Sequence, residues 1–153
     1  MARPGHQPLR ACAALALALA LACLAMPAPV RAADAIYVVV SAQSPVRSVA
    51  QKDVLALYTG RSRTVPGSEV VTPLDQSRDG APRAAFYQAV TGMDIARINS
   101  YWARLHFTGQ VQPPLVVGDD DAVLARLHGD ASAIGYVMRE PKDPAVRVVL
   151  RLP

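Results

Sequence analysis

The segment that joins a predicted strand to a predicted helix carries the residue types best suited to hold an anion. It spans residues 75–86 and contains Ser77, Arg78, Gly80 and Arg83. Free N–H groups and the positive end of the helix dipole attract anions to a helix N-terminus, and guanidinium groups add charge-assisted hydrogen bonds. The pattern therefore predicts a small-oxyanion site formed by these side chains and the Gly80 amide. The alternative is a solvated loop in which Arg83 pairs with a surface acid such as Asp79.

A second pair of candidate ligands follows the first predicted strand. Ser41 and Ser44 come directly after the β-branched run at residues 36–40. Open α/β sheets bind ligands outside the carboxyl ends of their strands. We therefore expect Ser41 and Ser44 to face the same crevice as the arginine-containing segment.

Metal binding and catalysis have less support in the residue pattern. The acidic run at residues 119–121 is typical of a helix start, where carboxylates cap free N–H groups, and it lacks a second ligand cluster besides His128. His106 and His128 lie near predicted helix ends, where a cationic side chain is favourable. No serine stands in a nucleophile-elbow motif. The sequence thus predicts no metal, no cofactor and no catalytic residue.

The first 32 residues are typical of a secretory signal peptide. Arg3 and Arg10 precede an Ala/Leu-rich stretch at residues 11–25, and small residues before a site after Ala32 suit a signal peptidase. Cleavage there leaves a domain of residues 33–153 in the periplasm. An uncleaved anchor is the alternative, but 15 apolar residues form only about 22 Å of helix against a hydrocarbon core of about 30 Å.

A lipid anchor on Cys23 is a further alternative for the leader. Cys12 and Cys23 are the only cysteines, and both precede the predicted cleavage site. The domain that remains therefore has no disulfide and no thiolate ligand, and it must be stabilised by core packing.

The net charge of the whole chain is higher than that of the domain expected to remain after cleavage. The formal net charge is +4, but three of the 16 basic residues and none of the 12 acidic residues lie in the first 32 positions. The rest carries 13 basic and 12 acidic residues, a net charge of +1. A nearly neutral domain lacks the electrostatic footprint of a nucleic-acid-binding protein, so nucleic acid is not an expected partner.

Hydrophobic periodicity predicts alternating strands and helices after the leader. This alternation is typical of an α/β three-layer sandwich with a mixed, mainly parallel sheet. Residues 113–114, both proline, are expected to form an extended crossover. The predicted strands are 36–40, 69–74, 133–137 and 146–150, and the predicted helices are 49–58, 82–92, 94–106 and 118–129.

Several of these segments together resemble the phosphate-binding proteins of ABC importers. The matching stretches run in order along the chain: 54–61, 71–87, 101–109, 113–114 and 133–137. The resemblance is to small, single-lobed members, and it implies a fold like that of the type 2 periplasmic binding proteins. In this comparison Gly80 stands where the family has a serine, and Ser77 is the nearest hydroxyl that could substitute.

The resemblance implies non-catalytic binding of a small oxyanion, phosphate first. Uptake through an ABC permease, or signalling to a membrane sensor protein, would be the corresponding role. A different class of function stays open as the alternative. In that interpretation the chain is an interaction module that has kept the fold without the ligand and contacts a membrane receptor or a sensor kinase.

Overall fold

The computed structural model describes residues 35–109 and 111–153. The predicted signal peptide, its cleavage site and Cys23 lie outside these residues. In the described part, no helix combines the length and apolar character needed to cross a bilayer.

The described residues form strands and helices close to those predicted. One strand, β3, was missed, because its four residues follow the two prolines that were interpreted as a simple crossover. The strands are β1 (Ile36–Ser41), β2 (Thr72–Gln76), β3 (Leu115–Gly118), β4 (Ala133–Val137) and β5 (Val146–Leu152), and the helices are α1 (Gln51–Tyr58), α2 (Ala81–Thr91), α3 (Ile95–Thr108) and α4 (Asp120–Gly129).

The strands form one mixed sheet in the order β3-β2-β4-β1-β5. Strand β2 pairs in parallel with β3 and β4, whereas β1 pairs antiparallel with both β4 and β5. Four strands therefore run in one direction and β1 runs against them. This confirms the prediction of a mixed, mainly parallel sheet.

Helices cover both faces of the sheet, as a three-layer sandwich requires. Alternate residues of β1 point to opposite faces, so Val38 and Val40 join the core beneath α1, α2 and α3, while Val39 joins the smaller core beneath α4. Trp102 of α3 is buried in the larger core. The apolar stripe of α3 is therefore a packing surface.

The acidic run begins α4, as its position predicted. The Asp119 carboxylate accepts a hydrogen bond from the N–H of Ala122 at 3.0 Å, which is a normal N-cap. Asp120 turns inward and accepts bonds from the N–H of Met138 at 3.0 Å and from the Gln76 side chain at 2.7 Å. The Asp119 carboxylate therefore caps α4, and the Asp120 carboxylate ties the start of α4 to the ends of β2 and β4.

Gly135, in the middle of β4, allows α4 to pack closely on the sheet. A Cβ atom at this position would lie 2.6 Å from Cγ1 of Val123 and 3.5 Å from Cβ of Leu74. We expect Gly135→Ala to lower the free energy of unfolding by about 1–3 kcal/mol, because the extra methyl overpacks a filled core. Urea denaturation followed by circular dichroism measures the loss.

Two variants test the cause of that loss. Gly129→Ala is the matched control, because a Cβ at Gly129 meets no atom within 4 Å, and its stability should not fall. Shortening the opposing side chain in the double variant Gly135→Ala/Val123→Ala should give a loss smaller than the sum of the two single losses. Simple additivity would contradict a clash between these residues.

Candidate functional site

The predicted anion-binding segment does connect a strand to a helix N-terminus. Gly80 is the residue that precedes α2, with an extended backbone, and Pro82 lies in the first turn. Proline is favoured there because its missing N–H would have no partner in the helix. The first helical hydrogen bond runs from the N–H of Ala84 to the carbonyl of Gly80 at 3.3 Å.

Two of the donors assigned to the anion are used inside the loop instead. The Gly80 N–H donates to the carbonyl of Ser77 at 2.9 Å. The N–H and the hydroxyl of Ser77 both donate to the carbonyl of Gly118, at 2.7 Å and 3.3 Å. The loop therefore closes as a turn that is attached to the end of β3. The expected contacts of the Gly80 amide and the Ser77 hydroxyl with an anion are corrected accordingly.

Arg83 is buried in an ion pair with an acid of the protein itself. Its side chain is almost fully enclosed, and its Nε donates to Oδ2 of Asp75 at 2.8 Å. Nη1 donates to the side-chain carbonyl of Asn99 at 2.9 Å and more weakly to the carbonyl of Arg78 at 3.4 Å. The alternative of a paired Arg83 is thus closer to the structure, although the partner is a buried strand residue and not the surface acid Asp79.

The Asp75 carboxylate is the centre of a buried polar cluster. In addition to Arg83, Oδ2 accepts the hydroxyl of Tyr87 at 3.1 Å, and Oδ1 accepts the hydroxyl of Tyr136 at 2.6 Å and the N–H of Gln76 at 2.9 Å. Each oxygen thus accepts two hydrogen bonds, the arrangement in which a carboxylate tolerates burial. Asp75 belongs to the predicted anion-binding segment, but its residue type and position gave no sign of this central role.

The surroundings of this cluster fix the protonation states of two tyrosines and of Arg83. Burial raises the pKa of Tyr87 and of Tyr136, and the negative charge of Asp75 raises both further, so the hydroxyls keep their protons. Burial acts to lower the pKa of Arg83, but the hydrogen bond and the charge of Asp75 raise it, so the guanidinium stays charged. The cluster is therefore a closed, charge-balanced unit.

A cavity of about 370 Å³ opens beside this cluster. It lies between the loop before α2, the middle and end of α3, and the chain that leads into β3. Two groups of residues line it: a polar group of Asp75, Arg78, Asp79, Arg83, Asn99 and His106, and an apolar group of Trp102, Ala103, Pro113, Pro114 and Val116.

Arg78 is the cation best placed to contact a ligand in this cavity. Its side chain is exposed, and no carboxylate of the described residues lies within salt-bridge distance of it. Arg83 adds its Nη2 group, which makes no hydrogen bond to any residue in the described ranges. Guanidinium N–H groups suit the geometry of an oxyanion, so the cavity can hold one without any metal.

Ser41 and Ser44 lie at the opposite end of the sheet. Ser41 pairs with Val146 at the start of β5, whereas the carboxyl end of β4 at Val137 pairs with Tyr37. The expectation that these serines share a crevice with Arg83 is therefore wrong, because β1 runs antiparallel to its neighbour. The Ser44 hydroxyl accepts the N–H of Val46 at 3.3 Å and thus shapes its own turn.

Asn99 and His106 also line the cavity. Asn99 was not among the predicted site residues, and His106 was interpreted only as a cation near a helix end. They lie seven positions apart on α3, a spacing that places them on one face of the helix. The same spacing describes many surface helices, so it predicts a cavity only when the position of the facing loop is known.

The described fold is that of the periplasmic-binding-protein-like α/β domains. A crystal structure from Clostridium perfringens, assigned to the phosphate ABC transporter substrate-binding proteins and holding phosphate, matches with a TM-score of 0.58 at 18% identity. An ABC-type phosphate transport receptor from Vibrio cholerae matches with a TM-score of 0.58 at 15% identity. Each match covers 76% of this chain, which spans 44% and 45% of the two neighbours' lengths.

Similarity at the level of sequence is much weaker. No protein-family model matches the chain, and no curated protein matches it.

Proposed function

We propose that this domain binds a small oxyanion in the cavity beside α2 and has no catalytic role. Phosphate is the first candidate, and the domain acts in the periplasm after cleavage of the leader at residues 1–32. The bound anion serves uptake through an ABC permease or signals to a membrane sensor protein. The observation that carries the proposal is the exposed guanidinium of Arg78, which has no ion-pair partner among the described residues and lines a cavity that Arg83 also lines.

The ion pair inside the protein sets the expected strength of binding. Asp75 already neutralises Arg83, so Arg78 supplies most of the charge that a ligand meets. The cavity opens to water, where charge pairs are screened and each contributes little. We therefore expect phosphate to bind with micromolar to millimolar affinity, about 4–8 kcal/mol.

Arg78→Ala tests the proposal directly. Because it removes a charge-assisted hydrogen bond of about 1.5–3 kcal/mol, phosphate binding should weaken by about tenfold or more. Isothermal titration calorimetry of the purified protein with inorganic phosphate measures the change. Arg83→Ala is a poorer test, because it would leave Asp75 buried without its counter-ion.

Arg47→Ala is the matched control for this experiment. Arg47 is exposed near the carboxyl end of β1, at the far end of the sheet, and its loss changes the net charge by the same amount. Its phosphate affinity should equal that of the unmodified protein. An equal loss in both variants would mean nonspecific attraction, and no binding of phosphate or sulfate at millimolar concentration would contradict the proposal.

A ligand-free interaction module remains the second candidate function. Two observations favour it. The guanidinium of Arg83 is paired with Asp75, and the N–H of Gly80 and the hydroxyl of Ser77 donate to backbone carbonyls of the protein. In this case the domain contacts a membrane receptor or sensor kinase through its surface. Unaltered partner binding by the Arg78→Ala variant, together with no phosphate binding by either protein, would favour it.

A further inference from the structure

The cavity beside α2 has a lining of mixed chemistry. Arg78, Arg83 and Asn99 contribute charged and polar side chains. Trp102 and Val116, together with the two prolines before β3, contribute apolar surface. A free inorganic anion would bind to the charged and polar groups, so the apolar part of the lining is left without a role in phosphate capture.

The volume of the cavity also indicates a ligand larger than a phosphate ion. Its volume of about 370 Å³ is at the lower end of the range of about 300–1,000 Å³ typical of sites for organic ligands. One water molecule occupies only about 30 Å³ in the liquid, and a phosphate ion has few additional atoms. A phosphate held at the arginines would therefore occupy only part of the cavity, which leaves room for an organic group on the same ligand.

Charge is the third observation. The lining contains two arginines and two aspartates, Asp75 and Asp79, so the formal charges of these four side chains cancel. Such a lining exerts little long-range attraction on a free dianion, and apolar contact must then supply part of the affinity.

We infer that the ligand is a phosphate monoester that carries a small aromatic or branched apolar group. This inference rests on the proposed oxyanion-binding function and narrows its ligand class. The phosphate lies against Arg78 and Arg83, and the organic group packs against Trp102 and Val116. Phosphate fixes the orientation of the ligand, and the apolar group distinguishes it from free phosphate.

Calorimetric titration with phenyl phosphate and with inorganic phosphate tests the inference. We expect phenyl phosphate to bind at least about tenfold more tightly, because its ring removes apolar surface from water. Benzyl alcohol, which has the ring without the phosphate, should not bind detectably at the same concentrations. Arg78→Ala should weaken the binding of both phosphates.

Val116→Thr separates the contribution of the apolar lining from that of the arginines. It replaces one methyl of the apolar wall with a hydroxyl and should weaken phenyl phosphate about three- to fivefold while inorganic phosphate is unchanged. Val148→Thr is the matched control, because Val148 is a similarly exposed strand valine on β5, at the other edge of the sheet. It should change the affinity for neither ligand.

The outcomes distinguish this inference from the proposed function. Equal affinity for the two phosphates, or equal effects of Val116→Thr and Val148→Thr, would overturn the inference and leave oxyanion binding intact. Benzyl alcohol that binds as tightly as phenyl phosphate would also overturn it. If neither phosphate binds at millimolar concentration, the proposed function itself fails.

Discussion

Replacing Asp75 with alanine is expected to lower the free energy of unfolding by about 3–5 kcal/mol. Asp75 is 2% exposed, and its carboxylate compensates the buried guanidinium of Arg83 at 2.8 Å. Without it a positive charge stays buried and unpaired, and the hydroxyls of Tyr87 and Tyr136 lose their acceptor. Urea denaturation, followed by the fluorescence of Trp102, the single tryptophan of the chain, measures the loss.

Two further variants identify the buried charge as the cause. Asp79→Ala removes an exposed carboxylate from the same loop and should change stability by less than about 0.5 kcal/mol. Removing both charges in Asp75→Leu/Arg83→Met should cost less than Asp75→Ala alone, because an apolar pair of similar volume leaves no unpaired ion. Equal, small losses in Asp75→Ala and Asp79→Ala would contradict this account of the cluster.

Stability is expected to fall steeply above about pH 10, the pKa of tyrosine in an unfolded chain. Burial raises the pKa of Tyr58, Tyr87 and Tyr136 in the folded protein, and the charge of Asp75 raises each further. These hydroxyls therefore keep their protons while those of the unfolded chain lose them. Their contribution is complete below the unfolded pKa and is lost progressively as the pH rises above it.

The size of the alkaline effect follows from proton linkage. Each such tyrosine lowers the free energy of unfolding by about 1.4 kcal/mol per pH unit, so three together give about 4 kcal/mol per unit. Denaturant titrations at successive pH values between about 9 and 11 measure the slope. Tyr87→Phe should reduce the slope by about one third. A stability that stays flat across this range would contradict the assigned protonation states.

Most helices and strands could be predicted because each is specified by the spacing of apolar residues and by end signals within its own segment. The β-branched run that became β1 and the three- and four-residue spacing in α3 each follow from a single element burying one face. The acids at 119–121 and the glycine that ends α2 are local signals of the same kind. Strand β3 was missed because four residues after two prolines carry too short a pattern to distinguish a strand from a crossover.

The direction of β1 shows what local patterns leave open. The residue pattern of a buried β-branched strand is the same whether its neighbours run parallel or antiparallel to it. The pairing of β1 with β4 and β5 decides the direction, and it carries Ser41 to the end of the sheet away from Arg83. The candidate serines were therefore plausible as residue types and misplaced in space.

The sequence by itself determined the fold class, the nearly neutral charge of residues 33–153, and the strand-to-helix segment that carries Arg78 and Arg83. Only the tertiary structure decided how those arginines are used. Tyr136 lies 61 residues from Asp75, and Asn99 lies 16 residues from Arg83, yet each forms a hydrogen bond to one member of the same ion pair. Side-chain partners so far apart in sequence meet only when the layers pack. A charge buried in that packing is stable only beside a counter-ion, so the pairing depends on which acid the fold brings close. For Arg83 that counter-ion is Asp75, and Arg78 is left to face the cavity.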